Sequence, residues 1–240
     1  MLYKNIKKKV FTKIIIALDY SNEKKALNLI KILDPQIYKI KIGKEMFFLL
    51  GIDFVKKIIN LGFKVFLDLK LHDIPNTVFK AIISLSKLNL WMISVHALGG
   101  KKMMEFAKSA VSYFQKKPPL LVAITVLSSL SEFDMQELGI FNAINKQVLL
   151  LLKLSQKVGL DGIVCPGNSV KYIKNSLKKN YKIITPGIRL EESSLNDQKN
   201  VITPEQAITY KINYIVLGRI ITCSKNPLQV LKKINSLIMK

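Results

Sequence analysis

The sequence predicts a (β/α)8 barrel, built as a single domain from residues 1–240. Three observations lead there. Eight short apolar runs are spaced along the chain, and longer segments, most with helical periodicity, separate them. Charged and polar residues gather just after those runs, where such barrels carry their functional groups. No linker, repeat or low-complexity tract interrupts the alternation. An open doubly wound sheet is the competing topology, but such sheets usually stop at about five or six strands.

The first run, 14–18, ends in Asp19. Ser21-Asn22 is a capping signal for a helix over 22–33, whose apolar face is Ala26, Leu29, Ile30 and Leu33. The second run, 37–42, carries Lys41 and leads through Lys44 into a helix over 44–61, with Phe47, Phe48, Val55, Ile58 and Ile59 as its apolar residues. The third, 64–69, runs into Asp68, Lys70 and Asp73 before a helix over 76–88. Asp68 and Lys70 are two apart, so a strand sends both side chains to one face. A carboxylate and an ammonium are thus delivered together at a strand end.

The fourth run, 91–96, ends in His96 and precedes a helix over 101–114. Trp91 opens that run and reads as barrel packing. The fifth, 120–127, ends in Ser128-Ser129 and precedes a helix over 143–158. The sixth, 162–165, is followed by a helix over 169–177. The seventh, 182–185, ends in Pro186-Gly187-Ile188-Arg189, and Thr203-Pro204 opens a helix over 204–210. The eighth, 214–217, ends in Gly218-Arg219, and Asn226-Pro227 opens the last helix, 227–238.

Composition narrows the function classes. A hydrophobic content of 49% supports a large core and excludes a disordered chain. No apolar run approaches the ~20 residues that span a bilayer, so no membrane partner is expected. The Lys-rich start is followed by an apolar run that Asp19 cuts too short for a signal-peptide core. Cys165 and Cys223 lie far apart without metal-ligand spacing, which fits a reducing, cytoplasmic setting. His72 and His96 each follow a strand, but no second ligand sits at metal spacing beside either. Both read as structural, and no metal is expected.

The formal charge of +22 raises the possibility of a nucleic-acid partner. The lysines, however, are scattered along the whole chain, as in Lys24-Lys25, Lys116-Lys117 and Lys232-Lys233, and form no stripe. With the abundance of Ile and Asn they read as genome composition, so no nucleic-acid partner is expected. Against 38 basic residues, only Arg189 and Arg219 are arginines. Where lysine is the default cation, a retained arginine marks a place that needs a planar fork on an anion. Both follow strands seven and eight, where barrels commonly hold phosphate. Gly218 beside Arg219 lets a backbone N–H approach a phosphate oxygen.

At this point the residues resemble a known family. Asp68-Leu69-Lys70-Leu71-His72-Asp73-Ile74-Pro75-Asn76-Thr77 is similar to the signature of orotidine 5′-phosphate decarboxylases, nearest to the bacterial type. Ala17-Leu18-Asp19, Lys39-Ile40-Lys41-Ile42-Gly43, Val95-His96-Ala97, Thr185-Pro186-Gly187-Ile188-Arg189, Asp197-Gln198 and Leu217-Gly218-Arg219 resemble the family's other blocks, in its order. Two positions depart from the pattern, and the segment Cys165-Pro166-Gly167-Asn168 after the sixth run is also local to this chain. Ser128-Ser129 stands where Thr-Ser is usual, and Ile220 stands where bacterial members usually have Pro.

The resemblance implies a homodimeric barrel that uses no metal or organic cofactor and converts orotidine 5′-monophosphate to uridine 5′-monophosphate (UMP) and carbon dioxide, the last step of de novo pyrimidine synthesis. It implies that Lys70 protonates the ring carbon that loses carboxylate, with Asp68 beside the departing group and Lys41 completing an alternating charged row. Asp73 and Thr77 would reach into the neighbouring subunit's site. Asp19 and Lys41 would hold the ribose hydroxyls, and Ser128 would meet the pyrimidine. Arg189, Gln198, Gly218 and Arg219 would hold the phosphate. The polar segment Glu191-Glu192-Ser193-Ser194 reads as a flexible loop, either a lid that closes over that phosphate or an ordinary exposed loop. The rival readings are a sister metal-assisted sugar-phosphate decarboxylase or aldolase, which shares the Asp-x-Lys-x-x-Asp spacing, and a non-catalytic nucleic-acid binder.

Overall fold

A computed structural model describes residues 13–190 and 201–239. Eight parallel strands close into a barrel in sequence order, β1 to β8, with β8 returning to β1. The strands are β1 (Ile14–Ala17), β2 (Lys39–Gly43), β3 (Val65–Leu71), β4 (Met92–His96), β5 (Leu120–Ile124), β6 (Gly162–Val164), β7 (Lys182–Thr185) and β8 (Tyr214–Leu217). All eight lie where apolar runs predicted them, because strands buried on both faces read as nearly continuous hydrophobic stretches. Alternation along each strand divides the core. Ile15, Ala17, Phe66, Met92, Val122, Ile184 and Val216 fill the barrel interior. Their neighbours in the chain, such as Ile14, Ile16, Val65 and Leu67, join the helix layer outside.

The helices among the described residues are α1 (Glu23–Lys31), α2 (Lys44–Asn60), α3 (Pro75–Ser84), α4 (Gly100–Val111), α5 (Glu132–Glu137), α6 (Ile144–Val158), α7 (Val170–Ile173), α8 (Pro204–Thr209), α9 (Arg219–Thr222) and α10 (Pro227–Met239). The capping signals act as expected. Asn22 Oδ1 accepts from the Lys25 N–H at 3.2 Å, and Thr203 and Gln206 form a reciprocal capping box. The face Ala26, Leu29, Ile30 and Leu33 is buried.

Four features differ from the sequence expectation. Helix α2 is kinked at Gly51, whose φ of 64° only glycine adopts readily. The kink turns the first arm away from the second, so Phe48 is 79% exposed while Val55 and Ile58 are buried. Segment 169–177 is a short α-helix between two 3-10 turns rather than one helix. Strand β5 stops at Ile124, leaving Ser128 on the loop that leads to the unexpected α5. Strand β3 continues through Lys70 to Leu71 instead of ending at Leu69.

The N-terminal end of the barrel is closed by an inward-facing lysine. Lys39 is 4% exposed, and its ammonium lies 5.3 Å from the Trp91 ring centroid and 5.4 Å from that of Tyr214. The two rings meet edge to face. Burial, then the nearby Lys64 charge, pushes the Lys39 amine down to about 8, while the aromatic faces offset part of the cost of burying the cation. Trp91 is thus barrel packing, as its place at the strand start indicated.

Candidate active site

The opposite, C-terminal end of the barrel holds a cavity of about 290 Å³. Strands β1, β2 and β3 bring Asp19, Lys41, Asp68 and Lys70 to it. The segments after β5, β7 and β8 bring Ser128, Arg189, Gly218 and Arg219. Phe66, Val164 and Val216 form part of its apolar lining. Residues far apart in sequence therefore converge because each follows or ends a strand of one closed sheet. Asp73 and Thr77 are exposed at the start of α3 and do not line this cavity. The Asp73 carboxylate accepts from the Ile74 N–H at 2.6 Å. Gln198 and the segment 191–194 lie outside the described residues.

The charged side chains alternate in sign. Lys41 Nζ lies 3.3 Å from Asp19 Oδ1 and 3.7 Å from Asp68 Oδ2. Lys70 Nζ donates to Asp68 Oδ2 at 2.7 Å. Register accounts for the Lys41–Asp68 contact: Lys41 pairs with Phe66, and Asp68 with Gly43, so the two inward side chains meet on adjacent strands. Asp68 is buried. Burial opposes its ionisation, but the Lys41 and Lys70 charges and hydrogen bonds from Lys70 and Ser94 outweigh that, and the carboxyl sits below its ordinary range. Burial likewise opposes charge on Lys41, and Asp68 and Asp19 more than reverse it. The Asp68 carboxylate and the Lys41 ammonium stabilise each other as ions although both are largely buried.

Space around the row is tight. A Cβ added at Gly43 would stand 3.0 Å from Lys41 Nζ, and one at Gly218 would stand 3.1 Å from Asp19 Oδ2. On the far side of the cavity, Gly187 has φ 76° and its carbonyl accepts from the Ile202 N–H at 3.1 Å. The Arg189 N–H donates to the Ile202 carbonyl at 3.0 Å, which ties the arginine's backbone to the strand-like stretch beyond. Cys165 also lines the cavity, and burial pushes its thiol up to about 12, so it stays protonated and unreactive at neutral pH.

His72 and His96 stack with ring centroids 5.2 Å apart and an 18° interplanar angle. His96 Nδ1 accepts from the Leu98 N–H at 3.3 Å. Burial, then the His72, Lys70 and Lys44 charges, pulls the His96 imidazole down to about 4 from its ordinary 6.5. The folded chain thus holds His96 neutral in a range where the unfolded chain protonates it. Its contribution to stability is present above about pH 6.5 and is lost as pH falls towards about 4. We expect His96→Gln to flatten the decline in chemical-denaturation stability between pH 6.5 and 4.5; an unchanged slope would remove His96 as its source.

Among the described residues, a buried partner of the charged row that no sequence pattern flagged is Ser94, whose hydroxyl bonds Asp68 and the Lys70 N–H from the middle of the apolar stretch Met92-Ile93-Ser94-Val95-His96. It shares strand parity with the inward-facing Met92. A polar side chain directed into a barrel needs a polar partner, and that parity was the available signal.

Fold and site together define a class: a (β/α)8 barrel with an alternating carboxylate and ammonium row beneath a rim that carries two arginines. Comparison with known proteins makes it specific. Residues 12–234 match the model of the orotidine 5′-phosphate decarboxylase / HUMPS family, and the chain belongs to that family. It is 56% identical over 226 residues to the orotidine 5′-phosphate decarboxylase of Buchnera aphidicola subsp. Schizaphis graminum, covering 94% of each chain. Its identity to the protein of that name from Pseudoalteromonas translucida is 47%, covering 94% of this chain and 97% of the other. Among solved structures, the orotidine 5′-phosphate decarboxylase of Lactobacillus acidophilus superposes with a TM-score of 0.83 at 34% identity, covering 95% of this chain and 99% of that one.

Proposed function

We infer that this chain converts orotidine 5′-monophosphate to UMP and carbon dioxide, the closing step of pyrimidine nucleotide synthesis, and we assign the steps to particular side chains. Family membership and the relatives' shared name support the reaction. The observation that carries the assignment is the 2.7 Å contact between Lys70 and buried Asp68 inside the cavity whose rim bears both arginines.

The ring carbon–carboxylate bond breaks and its electron pair stays on the ring carbon while carbon dioxide departs. Lys70 Nζ stabilises that developing charge and then gives the carbon a proton, which solvent returns to the amine. Asp68 lies beside the departing carboxylate and fixes the ammonium. Lys41 and Asp19 hold the ribose hydroxyls, and Ser128 meets the pyrimidine edge. Arg189, Arg219 and the Gly218 backbone grip the phosphate, with Gln198 as a further contact. Binding energy gained at the phosphate is used at the reacting carbon several bonds away.

We further propose a homodimer in which Asp73 and Thr77 complete the partner's site. Support comes from the surface beside them. Ile74 is 67% exposed and Tyr113 58%, and Phe79 of α3 meets Phe106 and Tyr113 edge to face. An aromatic patch of this kind next to two exposed polar residues fits a subunit interface. The two free thiols, one of them exposed, fit a reducing compartment, which we read as the cytoplasm.

The test is to incubate the purified protein with orotidine 5′-monophosphate and excess chelator and to follow the loss of substrate absorbance. We expect full turnover. Turnover of a sugar phosphate on adding magnesium, with none of the nucleotide, would instead favour the sister chemistry.

A further inference from the structure

The bulge in β3 sets the geometry of the Asp68–Lys70 pair, and a residue outside the cavity holds that bulge. Strand β3 pairs with β4 through Leu67↔Ile93 and then Leu71↔Val95. Three residues, Asp68, Leu69 and Lys70, therefore face the single residue Ser94. Lys70 takes the left-handed backbone, with φ 51°, which is unfavourable for a side chain with a Cβ and persists only where its surroundings enforce it. In an unbroken ladder, backbone groups of β4 would satisfy β3. Here the Ser94 side chain does so instead: its hydroxyl oxygen accepts from the Lys70 N–H at 2.9 Å. The same hydroxyl donates to Asp68 Oδ1 at 2.8 Å. Its one proton and one of its lone pairs are both committed, and its side chain is fully buried.

We propose that Ser94 is a positioning residue for the decarboxylation, its hydroxyl locking the Asp68 carboxylate and the left-handed Lys70 backbone into one rigid unit. This rests on the reaction assigned above. Asp68 Oδ2 is left to the Lys70 ammonium at 2.7 Å and to Lys41 at 3.7 Å, while Oδ1 is held from behind by Ser94. The carboxylate cannot rotate without breaking a buried bond, and the Lys70 backbone cannot leave its left-handed conformation without releasing its N–H from Ser94. Two reacting groups are thereby aimed by a hydroxyl that touches neither the substrate cavity nor its rim. The hydrogen bond to Oδ1 also favours the ionised form of Asp68.

The experiment compares wild type with Ser94→Ala and Ser94→Thr in steady-state turnover of orotidine 5′-monophosphate across pH, with thermal melts of all three. For Ser94→Ala we expect kcat to fall about 10- to 100-fold with KM within about threefold of wild type, because slack in the catalytic pair costs the reacting geometry more than it costs binding. The acidic limb of its pH–rate profile moves to higher pH, as Asp68 loses a hydrogen bond to its charged form. Ser94→Thr, which keeps the hydroxyl, restores kcat if its melt matches wild type; if its methyl group destabilises the fold, the acidic limb of Ser94→Ala decides alone. Three results would overturn the proposal: a Ser94→Ala kcat within about threefold of wild type, a loss confined to KM, or a lower kcat with an unmoved acidic limb. Wild type that fails to turn over the nucleotide overturns the functional assignment and this inference together. An active wild type with an indifferent Ser94→Ala overturns this inference alone.

Discussion

Lys70→Ala is expected to lower kcat by more than about 10⁴-fold, since it removes both the proton donor and the charge facing the developing carbanion. The fold should survive. Lys70 is partly exposed, and its loss does not strand Asp68 as an unpaired buried charge, because Lys41 stays 3.7 Å away and Ser94 still donates to Oδ1. Removing the sole partner of a buried ion costs about 3–5 kcal/mol, and this site keeps a second cation. UMP binding should fall far less than turnover, because the phosphate and ribose contacts are untouched. Steady-state kinetics with product titration by calorimetry would measure both. Activity within about tenfold of wild type would show that another group delivers the proton.

Mixing two inactive variants is expected to regenerate activity. If Asp73 serves the partner's cavity, Lys70→Ala and Asp73→Ala each abolish both sites of their own homodimer. After subunit exchange at equal concentration, about half of the molecules are mixed dimers. In each of these one site carries both lesions and the other carries none, so about a quarter of the wild-type sites return. The position of Asp73 motivates the experiment: it is exposed, absent from its own cavity, and next to the aromatic surface of α3 and α4. Recovery that follows exchange kinetics would support shared sites. Mixtures no more active than either parent after verified exchange would confine Asp73 to its own subunit or remove it from the mechanism.

The barrel was legible because each strand is buried on both faces and so appears as an apolar run of matching length. The cavity residues were legible for a related reason: a strand's end fixes which side chains reach the rim, so Asp19, Lys41, Asp68, Arg189 and Arg219 could be placed by counting from the runs. Irregular backbone was not. Short helices α5 and α9 lack the length over which helical periodicity registers, and Gly51 breaks α2 without any apolar gap. The third strand shows the limit most clearly. Spacing alone placed Asp68 and Lys70 on one face of a regular strand. Their contact instead depends on a bulge and a left-handed lysine, held by a serine in the next strand. No local pattern around Lys70 encodes that serine; only the pairing of β3 with β4 brings them together.

Lys39 and Lys41 illustrate the same point from β2. They share parity and both face inward, yet one closes the barrel floor against Trp91 and Tyr214 while the other joins the charged row. Depth along the barrel, set by register with β3, separates a structural cation from a site cation.

Decarboxylation of orotidine 5′-monophosphate with protonation of the vacated carbon by a solvent-exchanging amine leaves an isotopic mark on the product. Proton NMR of the reaction in D2O tests for it most directly. UMP and carbon dioxide are expected in equal amounts, with one deuterium on the ring carbon that lost its carboxylate. Unchanged nucleotide after prolonged incubation with folded protein would contradict the assigned reaction.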